Sequence, residues 1–176
     1  MPAATMVDAL RRGDEAKAVG FIDRVTGAAH LGLCLLSACE TGHPTCTRLL
    51  LAAHAAVDHA DCDGGTPLYA ACCKGNVDCV QLLLAAHAVV NQADSSGNTP
   101  LYAACDKGHG DCVQLLLGAH AAVDQANGDR ETPLYAACDK GHGVCAQLLL
   151  FSQATVDAAD SNGRTPLIAA LSLIHI

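Results

Sequence analysis

The fold is decided by TPLYAACCKGNVDCVQLLLAAH, Thr66 to His87. Thr66 supplies a side-chain oxygen that can cap a helix, and Pro67 fits the first turn, where its missing N–H costs nothing. The short helix predicted over Pro67 to about Lys74 is broken by Gly75. Val80, Leu83 and Leu84 then fall at helical spacing and predict a second helix, Val77 to Ala86, with one buried face. Val90-Asn91 and the polar tip Asp94-Ser95-Ser96-Gly97 follow, a turn-rich finger that returns the chain for another helix pair.

The opening phrase recurs. Thr66-Pro67-Leu68, Thr99-Pro100-Leu101, Thr132-Pro133-Leu134 and Thr165-Pro166-Leu167 stand 33 residues apart with no insertion, the mark of a stacked-repeat architecture. Composition agrees. In 176 residues, 51% are apolar but only 3% aromatic and none is Trp, so the core must be built from small Ala/Leu-type side chains. Ten basic against eighteen acidic residues give a net charge of −8. No basic stripe is present to neutralise phosphates, which argues against nucleic acid as a partner. The amino terminus lacks an apolar leader and no stretch reaches bilayer-spanning length, so no membrane insertion is expected and the chain reads as soluble, in the cytoplasm or nucleus.

One unit, DSSGNTPLYAACDKGHGDCVQLLLGAHAAVD from Asp94 to Asp124, resembles the ankyrin repeat, and the likeness extends over nearly the whole chain. The resemblance implies an all-α ankyrin-repeat solenoid of stacked helix-turn-helix units with β-turn finger loops. Complete units are expected at 33–65, where LCL replaces TPL, and at 66–98, 99–131 and 132–164. Residues 1–32 read as an amino-terminal capping helix pair around Arg11 to Asp14, with a shortened finger at Thr26 to Gly32; their charges suit a polar solenoid end. Residues 165–176 form a truncated unit. From Leu171 the repeat pattern fails, and LSLIHI is what a sequencing-adapter end would encode; 171–176 are therefore expected to be an artefactual tail, and any apolar patch there is not to be read as a binding site.

A stack of such units presents fingertips and first helices rather than one closed pocket. The resemblance implies a non-enzymatic module, a scaffold or adaptor, that binds another protein through finger tips and the concave face of the first helices, as a monomer or as part of a larger polypeptide. The alternative is the targeting arm of a longer enzyme, channel or ubiquitin-ligase adaptor. Carried over by position, the binding residues are Cys62, Asp63 and Gly65; Ser95, Ser96 and Asn98; Gly128, Asp129 and Glu131; and Ser161, Asn162 and Arg164 on the fingers. On the first helices they are Cys73 and Lys74, Asp106 and Lys107, and Asp139 and Lys140. The third complete unit departs from the pattern, with Arg130 where Gly64, Gly97 and Gly163 stand. Either the turn re-forms around Asn127-Gly128 or Arg130 takes a strained positive φ. Arg130 joins the binding set on its distinct charge; ordinary drift would explain it equally.

Eight of eleven cysteines fall in two columns, Cys39, Cys72, Cys105 and Cys138, and Cys46, Cys79, Cys112 and Cys145. They read as core packing, since helices about 8–10 Å apart are too distant to cross-link successive members of a column. Cys34, Cys62 and Cys73 stand outside the columns, with fingertip Cys62 the reactive one; so many unpaired thiols suit a reducing compartment. His54, His87 and His120 occupy a helix C-cap position that often needs positive φ. His43, His109 and His142 sit where ankyrin-like units make structural hydrogen bonds. Tyr69, Tyr102 and Tyr135 replace the family's TPLH histidine. Neither column converges on one atom, so no metal, cofactor or catalytic constellation is expected. Val90-Asn91 resembles the step that an asparaginyl hydroxylase modifies in such repeats, although Val89 replaces the usual acidic residue.

Overall fold

The computed structural model describes residues 2–22 and 28–172. The described residues form eleven α-helices and no strand, in two compact units, Met1–Val89 and Val90–Ile176. The first unit carries α1 (Pro2–Arg11), α2 (Glu15–Val19), α3 (Ala28–Thr41), α4 (Pro44–Ala52), α5 (Pro67–Lys74) and α6 (Val77–Ala85). The second carries α7 (Pro100–Lys107), α8 (Gly110–Gly118), α9 (Pro133–Asp139), α10 (Gly143–Phe151) and α11 (Pro166–Ser172).

The Thr-Pro phrase starts helices as its chemistry requires. The Oγ1 atoms of Thr66, Thr99 and Thr132 accept from the backbone N–H groups of Tyr69, Tyr102 and Tyr135 at 3.2, 3.1 and 3.2 Å, and a proline opens each helix. All three threonines are buried, so their capping bonds are shielded from competing water. Where the phrase is missing the boundary moves. Residues 28–32, read from sequence as part of a shortened finger, are helical and belong to α3: Gly32, unlike the helix-ending glycines at positive φ, lies inside the helix, and no Thr-Pro pair at Leu33 starts a new one. The remainder of that expected finger, 26–27, lies outside the described residues.

In the first unit α1 packs on α3, and α3 on α5; in the second α7 packs on α9, and α9 on α11. Leu35, Leu50, Leu68 and Leu83 fill the first core, and Leu101, Leu116, Leu134 and Leu149 the second. Burying a leucine stabilises by roughly 1.5–3 kcal/mol, so these rows supply the main cohesion between helix pairs. The Gly-His step adds polar stitches. His43 Nε2 lies 3.1 Å from Leu10 O and His142 Nε2 3.1 Å from Asp106 O; Asn76 Nδ2, at the same repeat position, donates to Cys39 O at 2.7 Å. Gly42 and Gly108, the glycines of that step, make room for the side chain from the next repeat, the Asn76 amide and the His142 ring respectively. Gly108 has φ +77°, and a Cβ there would come within 2.6 Å of His142 Nδ1.

α11 is the short helix expected after Thr165; from Leu173 onward the expected artefactual tail lies outside the described residues. Beside α11 an apolar groove of about 400 Å³ remains open, lined by Leu134, Cys138, Leu150, Val156, Leu167 and Ala170.

Candidate partner-binding surface

Each finger is built on one side-chain acceptor. Asp61 Oδ1 accepts from Asp63 N and Gly65 N (3.0 and 2.8 Å), and Asp94 Oδ1 from Ser96 N and Asn98 N (2.9 and 2.8 Å). Asn127 Oδ1 accepts from Asp129 N and Glu131 N (3.0 and 2.9 Å), and Asp160 Oδ1 from Asn162 N and Arg164 N (2.9 and 2.8 Å). An Asx side chain closing on its own following backbone fixes the turn locally. The fourth residue of each turn then needs positive φ: Gly64, Gly97 and Gly163 take +80°, +83° and +78°, and Arg130 takes +62°. Of the two outcomes open for Arg130, the backbone thus adopts the strained one, and Asn127 keeps the turn that aspartate makes elsewhere.

Within the second unit, consecutive fingers are joined backbone to backbone. Gly128 N donates to Ser96 O at 2.9 Å, and Ser161 N to Asp129 O at 2.9 Å. The replaced TPLH histidine has a substitute role. Tyr102 Oη donates to Glu131 Oε2 at 2.6 Å, and Arg164 stacks with its guanidinium carbon 5.5 Å from the Tyr135 ring centroid. Asn127 Nδ2 bridges Asn98 Oδ1 (3.1 Å) and Glu131 Oε2 (3.2 Å). These ties give the tip side chains of the second unit a fixed spacing and order.

The charges follow from this packing. Burial first, and the Glu131 carboxylate second, push the Tyr102 phenol far above its ordinary range, so it stays a donor. Tyr135, 2% exposed, is pushed up to about 12 by burial and by the Asp160 carboxylate. Asp160 is itself almost fully buried. Burial opposes its ionisation, but the backbone and side-chain donors of Arg164, with Asn162 N, outweigh that and hold its carboxyl at about 2.

Of the residues carried over from the resemblance, Cys62, Asp63, Lys74, Ser95, Ser96, Lys107, Gly128, Asp129, Arg130, Lys140, Ser161, Asn162 and Arg164 are exposed. Cys73, Asn98, Asp106, Glu131 and Asp139 are half-buried. Gly65 is a correction: it is buried, with its N–H turned to Asp61, so it shapes the turn and is not presented to a partner. Glu131 and Asn98 are engaged inside the network, while Lys107 and Lys140 pair with Asp106 and Asp139, each at 2.8 Å. The sequence reading missed the tyrosine-to-finger ties. Their only signal was a tyrosine at a constant distance before the next finger.

The other columns are structural. Eight cysteines are buried, Cys73 and Cys138 half-buried and Cys62 exposed, and none of them is in a disulfide. Burial pushes Cys34 and Cys112 up to about 11, so they remain protonated and unreactive. Thr47 Oγ1 sits 3.7 Å from Cys39 Sγ and 3.5 Å from Cys79 Sγ, a buried polar contact that the columns alone did not show. His54, His87 and His120 adopt φ of 59°, 61° and 61°, the left-handed C-cap geometry expected of them, and Gln153 takes 63° at the same position. Asn91 Oδ1 accepts from Ala122 N at 2.8 Å, as Asp58 Oδ1 does from Val89 N and Asp124 Oδ1 from Thr155 N, both at 2.9 Å. The Val-Asn step is therefore part of the stitching between units of the repeat. Among the described residues no three metal-binding side chains converge, and no helix is long and apolar enough to cross a membrane.

No curated protein matches the chain. A family model of ankyrin repeats, three copies long, matches residues 35–127 and again 113–175. Phased Thr-Pro helix starts, Asx-closed fingers and this match over most of the sequence together place the chain in the ankyrin repeat family.

Proposed function

We propose that the protein is a non-enzymatic interaction module that binds another protein through its finger tips and the ends of its first helices. The observation that carries this reading is the backbone ladder between fingers, Gly128 N to Ser96 O and Ser161 N to Asp129 O. It holds exposed tips in fixed register, and a preorganised surface loses little entropy on binding. Potential catalytic groups favour the same reading, because like residues repeat along a row instead of unlike groups converging on one atom. Ankyrin repeats generally serve as protein-interaction modules. Eleven cysteines with no disulfide among them suit a reducing compartment such as the cytosol.

The test is affinity purification with the intact chain and with a variant whose third finger, Asn127 to Glu131, is replaced by the Asp94 to Asn98 sequence. Specific partners retained by the first and lost by the second support the reading. A partner set indifferent to finger exchange and to substitution of Lys107 and Lys140 would reject it.

A further inference from the structure

In the second unit nine carboxylates face only four Lys and Arg side chains. Three of those cations are committed. Lys107 pairs with Asp106, Lys140 with Asp139, and Arg164 Nη2 with Asp160 Oδ2 at 3.0 Å while stacking on Tyr135. Among the described residues of this unit, Arg130 is the one Lys or Arg with no such partner. Its chain neighbour Glu131 does not neutralise it, because Glu131 Oε2 is engaged by Tyr102 Oη and Asn127 Nδ2.

The backbone presenting Arg130 is fixed from several directions. Arg130 N donates to Asn127 O at 3.0 Å, Asn127 closes the turn on both sides of it, and the adjoining Gly128 and Asp129 are bonded to the fingers before and after. An L side chain here is held at φ +62°, where the other three fingers use glycine. Strain retained on an exposed, over-determined turn is a feature of recognition sites. An unpaired guanidinium on such a turn meets a planar anion with little ordering cost.

We propose that Arg130 is the anchor of the third finger and takes a single Asp or Glu carboxylate of the protein partner, as a two-pronged ion pair. This rests on the protein-binding reading above and names the chemistry of the partner. Polyanions do not fit: the unit's own carboxylates repel nucleic acid and anionic membranes. An isolated carboxylate on an otherwise neutral or basic protein surface does fit, with exposed Asp129 beside Arg130 available to an adjoining cation.

The experiment pans a random twelve-residue peptide library against the full chain. Selected peptides are titrated against wild type, Arg130→Gln, Arg130→Lys and Arg130→Gly, with thermal melts of each protein. Expected binders carry Asp or Glu at one fixed position. They lose on the order of tenfold affinity to Arg130→Gln, and substituting that acidic residue by Gln or Asn costs nothing further in the Arg130→Gln protein. Arg130→Lys retains part of the affinity. Arg130→Gly loses binding without a lower melting point, which separates lost recognition from lost folding. Peptides that bind through Ser96, Lys140 or Asn162 but ignore Arg130→Gln overturn this proposal and leave the broader reading standing. A selection yielding no peptide sensitive to any finger or first-helix substitution overturns both.

Discussion

At the scale of single residues, the fingers depend on four acceptors that range from exposed Asp61 to buried Asp160. Asp160 is the clearest. Its carboxyl titrates at about 2 instead of the ordinary 3.8, so its ionised form contributes stability that is complete above 3.8 and disappears as pH falls through 2. Denaturant melts of wild type and Asp160→Asn should therefore differ at pH 5 and converge near pH 2; a constant difference would contradict the assignment. Thr99→Ala should cost about 1 kcal/mol by the same measurement, since it removes the capping oxygen from Tyr102 N. Arg130→Gly should stabilise by about 0.5–1 kcal/mol, because relief of an unfavourable positive φ exceeds the added entropy of the unfolded chain. Much at this scale was legible in the sequence. Thr66, Thr99 and Thr132 announced their helix starts, and the left-handed histidines followed from their place after the second helices. The tie of Tyr102 to Glu131 was not legible, because it joins residues 29 positions apart and depends on how one helix pair leans on the next.

At the scale of helices, each pair is stabilised by what covers its apolar face. α9 is covered on one side by α7 and on the other by α11. Removing Thr165 to Ile176 should loosen α9 and α10 first, leaving α7 and α8 protected; uniform acceleration of amide exchange through the second unit would contradict this. The thiols report the same order. A thiol reagent should label exposed Cys62 first, half-buried Cys73 and Cys138 more slowly, and the eight buried cysteines only on unfolding. Sequence placed the helix pairs well wherever Thr-Pro and Gly punctuated them, with α5 running Pro67–Lys74 as read. It misplaced the start of α3 because LCL carries no start signal, and helix-forming residues simply extend until something stops them.

At the scale of the molecule, the 33-residue period made the architecture legible, since each unit can bury its apolar face only against another of its kind. The binding surface was legible only as positions. Which tips are free and which are bound up in the finger network required distances: Glu131 proved to be engaged and Arg130 free of ion pairs. Recognition of a protein through fingers and first-helix ends can be read from an amide-exchange footprint of the full chain with a selected peptide bound. Exchange should slow at 95–98, 128–131 and 161–164 and at the ends of α7 and α9, with α8 and α10 unchanged. Slowed exchange confined to α8 and α10, with the fingers unaffected, would contradict it.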